Sequence, residues 1–513
     1  MIAVWCQHPN CKAVFWTDIF NLFLSSIATT FEYMKILKLL VVFCLLASGR
    51  GEAQEVYYSQ YENYDWRTGD YAIAGKVNGL QYIYRSNANN YYLDAYDDNM
   101  EKVATVVLDF FSGRIYDTRF VNYANQMVVL YQSVDGGKVT QYAALLDDKG
   151  RLLKRPVVID AAKQAFFGNS RNYFRMAVSE DKKRIIVYET DTKGNKLEVD
   201  CTWLDDQLNV LSKCHTSFNA GNYPETGEGL LHNDGTFYLP TYTPTGSRSY
   251  ADQLYLLVLP QTERKFTPKE LPLDNMYAAG TYMKLDNAND KIYIAGFYSD
   301  KKGGLYEGVL YTYYNLKTGS YEKVKLMSFD GNEGAIEKTK KKALSDFQVR
   351  NLIVKNDGGF VLIAEDFFVT NRSSYQPGFG YYSFYYPTMG ASVREYNYRD
   401  IMAMSYDGEG NGQWRSFIRK DQYSQEDGGM FSSFAMINTG GALGFMFNDF
   451  NTVRSKIQLA TLDADGKVAM QSLGAANGND ADWMPRQAKQ VASRELIVPC
   501  LRKRQICFAK IVF

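Results

Sequence analysis

The densest concentration of recognition chemistry in the chain lies between residues 371 and 399. Tyr375, Phe379, Tyr381, Tyr382, Phe384, Tyr385, Tyr386, Tyr396 and Tyr398 are interleaved there with Gly378, Gly380 and Gly390. Tyrosine offers a broad flat contact with a polar tip and gives up little rotamer freedom on binding. Such a run, read as a long surface loop, suits recognition of a glycan, a peptide or an envelope protein. The plainer reading is a loop that folds back over its own strands. Upstream, the stretch from Asn332 to Asp346 carries Lys338, Lys340, Lys341 and Lys342 and suits a short solvated helix.

A second set of polar residues recurs where apolar runs end: Arg85, Gln132, Glu189, Glu365-Asp366 and Asn448-Asp449. Converging around a central opening, Arg85, Glu365 and Asn448 would contact a ligand. Glu189, Glu365 and Asp366 also supply an alternative, since paired carboxylates are the acid and base of glycosidases. Hydrogen bonding between neighbouring repeats competes with both readings. Other catalytic chemistry has little to draw on. Beyond the leader only His215 and His232 remain, too few for metal sites or triads built on several histidines. Asp463-Ala464-Asp465-Gly466 lacks the further ligands of a calcium loop. No metal and no cofactor is expected.

The frame for these residues is a repeat. Asp97-Asp98-Asn99, Asp147-Asp148-Lys149-Gly150, Asp205-Asp206-Gln207, Asn315-Leu316-Lys317-Thr318-Gly319, Asp407-Gly408-Glu409-Gly410 and Asp463-Ala464-Asp465-Gly466 each separate two strand-like runs. Their spacing is roughly fifty residues, apart from one long interval read as a repeat with insertions, and that marks a stacked or circular array. Each repeat holds four short strands, as in 174–178, 184–188, 197–203 and 210–213. Four-stranded antiparallel units at this length imply an all-β propeller. Eight blades are counted, or seven if the fourth repeat is misread. The last repeat lacks an outer strand, which Glu55 to Tyr61 would supply, closing the ring with the N-terminal strand and removing two exposed edges. An outer-membrane barrel is the rival fold, but consecutive apolar positions such as Met127 to Leu130 break the alternation a barrel strand needs.

Composition narrows the classes further. Aromatics make up 15% of the 513 residues, favouring strands, and 57 basic residues balance 57 acidic ones. That balance lacks the basic footprint of a nucleic-acid binder. Met34-Lys35-Ile36-Leu37-Lys38, an apolar run from Leu39 to Ala47, and small residues at Gly51 and Ala53 form a signal peptide over 34–53. Residues 1–33 then read as an extension from a start called too early, and 54–513 as one domain with an insertion at 371–399. No integral membrane span is expected after cleavage. Cys201 and Cys214 are symmetric about one turn, Cys500 and Cys507 about another, so two cross-strand disulfides are expected in an exported protein, with buried free thiols the alternative.

The run Asn351-Leu352-Ile353-Val354-Lys355-Asn356-Asp357-Gly358-Gly359-Phe360-Val361-Leu362-Ile363-Ala364-Glu365 resembles blades of secreted bacterial β-propeller proteins of uncharacterised function. The resemblance spans about residues 55–513. It concerns the frame and implies no active site. The resulting expectation is an exported, non-enzymatic binding propeller, periplasmic, outer-membrane-associated or extracellular. A carbohydrate-active enzyme and a structural envelope component are the alternatives.

Overall fold

The recurrent acidic residue that ends the third strands closes the turn that follows. Asp147 Oδ1 accepts the backbone N–H of Lys149 at 2.9 Å and of Arg151 at 2.8 Å. Asp97, Asp205, Asp407 and Asp463 accept the same two donors, two and four residues on. A carboxylate acceptor strengthens such a turn beyond what a hydroxyl offers. The chain then needs one residue at positive φ, which is Gly150, Gly410 or Gly466 in three turns and Met100 or Leu208 in two others.

The computed structural model describes residues 54–513 except 66–68, 88, 164–172, 222, 246–249, 330–343, 345, 374–391, 451–455 and 474–480. Residues 1–33 and 34–53, where an extension and a signal peptide are expected, thus lie outside the described residues. Between the turns the chain forms antiparallel meanders. In the first, Asp70–Val77, Leu80–Asn87, Asn90–Tyr96 and Lys102–Val107 lie side by side in chain order. Further sheets follow over 114–163, 175–219, 347–425 and 435–472. A ten-stranded sheet over 225–328 consists of two meanders joined only by Tyr250 opposite Ala279 and Ala251 opposite Ala278. In the final sheet Glu495–Arg502 pairs with Gln505–Val512, and the outer position is filled from the other end of the chain. Glu55 to Tyr58 pair with Val512 to Ala509, and Glu62–Asn63 with Ile506 and Gln505.

Second strands are apolar at consecutive positions because both faces of each sheet are covered. Met127, Val129 and Tyr131 pack against the 70–107 sheet, whereas Val128 and Leu130 pack against the 175–219 sheet. The same division runs through the chain, each hydrophobic cluster joining one unit to the next. One cluster joins the first unit to the last: Ile73, Ile83, Tyr96 and Met100 meet Met484, Ile497, Ile506 and Phe508. Each such side chain contributes about 1.5–3 kcal/mol by leaving water. Separate sheets buried on both faces replace the single continuous sheet of the barrel reading. Among the described residues no helix is long and apolar enough to cross a membrane.

The cysteine register matches the expected symmetry. Cys201 lies directly across from Cys214, and Cys500 from Cys507. All four are buried free thiols, so the expected bridges are not formed in this structure.

Candidate functional site

Of the span 371–399 that the sequence suggests is a loop, the described residues 371–373 and 392–399 are strand. Phe360–Ser373 and Ser392–Tyr406 are the two longest strands of the fold, at 14 and 15 residues. After a bulge between Glu365 and Phe367 they stay in register from Phe367 opposite Tyr398 to Ser373 opposite Ser392. Gln422–Gln425 adds a third strand along Glu395 to Tyr398. The described residues on either side of 374–391 thus form an arm. Glu395 ties its strands together by accepting from Thr370 Oγ1 at 3.0 Å and Tyr423 Oη at 2.8 Å. Arg350 and Arg399 lie over the rings of Phe367 and Phe368, at 5.2 and 4.8 Å from their centroids.

Two of the expected contact residues fall on this arm. Tyr396 is half-buried in the strand. Tyr398 is 2% exposed, stacks 4.4 Å from Phe367 and accepts Arg486 Nη1 at 2.6 Å. Tyr398 thus packs within the arm, on a strand flanked by Phe360–Ser373 and Gln422–Gln425. Tyr375, Phe379, Tyr381, Tyr382, Phe384, Tyr385 and Tyr386 lie outside the described residues, as do Lys338, Lys340, Lys341 and Lys342.

Four of the polar residues at the ends of the second strands are held by protein partners, within their own unit or from the next. Glu365 is fully buried: Oε2 accepts Arg350 Nε at 3.0 Å and Ser433 Oγ at 2.8 Å, and Oε1 lies 2.8 Å from Lys420 Nζ. Lys420 also donates to Gln422 Oε1, which holds the backbone N–H of Ser433. Asn448 Nδ2 donates to the carbonyls of Phe431 and Trp483, both at 2.8 Å. Gln132 makes the matching link, donating to the Phe174 carbonyl at 2.9 Å and accepting from Tyr173. Arg85 donates from Nε to Asp94 Oδ2 at 2.6 Å, with Glu62 nearby at 3.8 Å. Arg85, Glu365 and Asn448, expected to contact a ligand, thus each have protein partners in the structure. A sheet covered on both faces hands such side chains to its neighbours, and burial obliges them to find partners.

Two carboxyls keep reactive character. Burial, then the charges of Asp160, Asp200 and Asp191, push Glu189 up to about 7. It stands directly across the strand pair from Asp200, whose Oδ1 is 2.8 Å from His215 Nδ1. A carboxyl that holds its proton near neutrality with a second carboxyl across the strand pair offers material for general acid–base chemistry. Asp366 is pushed up to about 6 by burial, with Arg399 opposing and Asp346 and Asp400 adding. Glu189 belongs to the 175–219 unit and Glu365 and Asp366 to the 347–425 unit, which share no hydrophobic cluster. The partner the sequence reading missed is Asp200. Its signal was the tight turn at Gly194, because Lys193 opposite Lys196 fixes Glu189 opposite Asp200. Among the described residues no group of three His, Cys, Asp or Glu side chains is placed to hold a metal ion.

No protein-family model and no curated protein matches the sequence. Among solved structures the chain is similar to prolyl oligopeptidase B from Galerina marginata, with a TM-score of 0.40 and 12% identity over 86% of this chain and 56% of that one. It is also similar to polysaccharide lyase Uly1, with a TM-score of 0.37 and 12% identity over 77% and 89% of the two chains. A protein from Lactobacillus plantarum gives a TM-score of 0.36 and 12% identity over 79% and 96%. The chain thus spans little more than half the length of the oligopeptidase. Likeness at this level carries no argument about activity.

Proposed function

We propose that the six separate sheets and the two halves of the ten-stranded sheet are the eight blades of one closed propeller, and that this propeller is an exported binding protein. The N-terminal strand in the last sheet and the cluster shared by the first and last units support closure. One observation carries the binding reading. The longest strand pair of the fold extends past its sheet, is braced by a third strand, and ends where the tyrosine-rich segment 374–391 begins. A rigid pedestal under an aromatic tip suits a glycan, a peptide or an envelope protein, because preorganisation lowers the entropic cost of binding. Export by the leader at 34–53 would bring the two cysteine pairs into an oxidising compartment, where bridges Cys201–Cys214 and Cys500–Cys507 form.

The test is to replace 374–391 with Asn-Gly, a two-residue turn that closes the Ser373–Ser392 pair. Retention of envelope material by the immobilised protein should disappear while Tm moves by no more than roughly 2 °C. Loss of the folded state would instead assign the segment a structural role.

Glu189 beside Asp200 favours a second reading, a carbohydrate-active enzyme. A screen on polysaccharides separates the two. Turnover that survives removal of 374–391 but is lost in Glu189→Gln would establish catalysis and displace the binding reading.

A further inference from the structure

A large cavity lies at the opposite end of the strands from the arm. It measures about 710 Å3 and is walled by first strands and first turns of four units, among them Gly75, Phe120, Asn122, Met176, Lys182 and Lys489. Two ammonium groups reach it with no carboxylate partner among the described residues. Lys489 Nζ donates to the carbonyls of Ile73 and Ala74 at 3.1 and 3.0 Å, and Lys182 Nζ to the carbonyl of Asn122 at 2.9 Å. Both side chains remain accessible to solvent within the cavity.

The backbone is shaped to hold them. Strand 70–77 bulges between Ile73 and Gly75, beside the two carbonyls that Lys489 spans, and the Ala74 carbonyl also accepts Asn122 Nδ2 at 2.8 Å. Gly75 sits at φ +120, and a Cβ there would come 2.3 Å from Asn122 Nδ2 and 4.0 Å from Lys489 Nζ. Any larger residue would displace this wall. Lys182 adopts φ +57 at a turn position held by Gly235 and Gly358 in two later units. A lysine in that conformation is strained relative to glycine, so the position keeps its side chain at a conformational cost.

The acids of the cavity, Glu180 and Asp181, keep their charge but are held by neutral donors and form no ion pair with Lys182 or Lys489 among the described residues. Glu180 Oε2 accepts Asn287 Nδ2 at 2.8 Å, and Asp181 Oδ1 accepts Ser179 Oγ and the backbone of Lys183. Lys76, also on the wall, is neutralised by Glu495 at 3.0 Å and Asp98 at 3.1 Å. Lys489 is held below the ordinary lysine range by its enclosure and by the charge of Lys182. That mutual repulsion is what an anion would relieve.

We propose that this cavity binds a small ligand through an oxyanion group, a carboxylate, sulfate or phosphate, seated between Lys182 and Lys489. Each ammonium has donors left over: Lys489 uses two of its three and Lys182 one. Phe120 and Met176 offer an apolar wall to the carbon skeleton of the ligand.

The experiment titrates the folded chain with glucuronate, inorganic phosphate and sulfate, with glucose as the uncharged control. At least one anion should bind and glucose should not, and the preferred anion names the oxyanion. Lys182→Gln and Lys489→Gln should each weaken binding about tenfold or more, the loss of a charge-assisted hydrogen bond. Lys489→Arg should restore much of it, and Lys196→Gln, on an exposed turn, should change nothing. In the unmutated protein the bound anion should shield Lys182 and Lys489 from an amine-acylating reagent while Lys196 stays reactive. The proposal is overturned if no anion binds at tens of millimolar, if glucose binds equally, or if neither lysine is shielded.

Discussion

Glu365 Oε1 and Lys420 Nζ lie 2.8 Å apart, and neither side chain reaches solvent. Breaking such a pair strands a charge where water cannot replace its partner. Lys420→Met should lower stability in urea unfolding by about 3 kcal/mol, the low end for a buried pair, since Arg350 and Ser433 still hold the carboxylate. Glu365→Gln should cost more, because it leaves Arg350 and Lys420 facing each other. The double variant should lose less than the sum, which a double-mutant cycle would measure.

Stability should fall as pH rises from about 4.5 to about 7. Glu189 moves from the ordinary 4.5 to about 7 on folding, so across that window the folded chain holds a proton that the unfolded chain has released. Glu189→Gln should flatten the profile there and melt above the parent at pH near 8. Asp366→Asn should act in the same direction over 3.8 to about 6. Thermal melts across pH would settle the sign, and an unchanged slope in both variants would remove these groups from the account.

Removal of residues 54–63 should expose the edge of Gln505–Val512 along its length. Unpaired edges seek other strands. Light scattering should show concentration-dependent association, and Tm should drop, since Val56 and Tyr58 also pack on the core of the last sheet.

Each turn aspartate should contribute separately. Asp147→Ala removes the acceptor for Lys149 and Arg151 and should cost about 1 kcal/mol. Asp463→Ala should cost the same, and the two should add, lying in units with no shared partners. Denaturant midpoints would check this.

Exported protein should show no reactive thiols under denaturing, non-reducing conditions. Reductant should then lower stability by about 2–3 kcal/mol for the 201–214 loop. Four reactive thiols would mean that the facing pairs remain reduced.

The turns and the cysteine register were legible because each depends on residues a few positions apart. Asp147 needs only Lys149 and Arg151, and Cys201 needs only the turn that brings Cys214 across. Glu365 was illegible for the opposite reason: its partners Lys420 and Ser433 come from far along the chain, and only packing of the next sheet delivers them. The arm was misread because Gly378, Gly380 and Gly390 drew the eye to a loop, while Phe367 to Ser373 and Ser392 to Tyr398 already paired residue for residue. Glu189 and Asp200 fall between these cases, since the turn at Gly194 determined their meeting and hydropathy did not.

The opening strand of the folded region hydrogen-bonds to the closing one, which sets an order of events during synthesis. Glu55–Tyr58 leaves the ribosome or a translocon first and waits for a partner that follows last. Such long-range pairing is slow to form and late in time. Until Gln505–Val512 is made, Glu55–Tyr58 has no strand to join, so the last sheet is completed only after every other described strand exists.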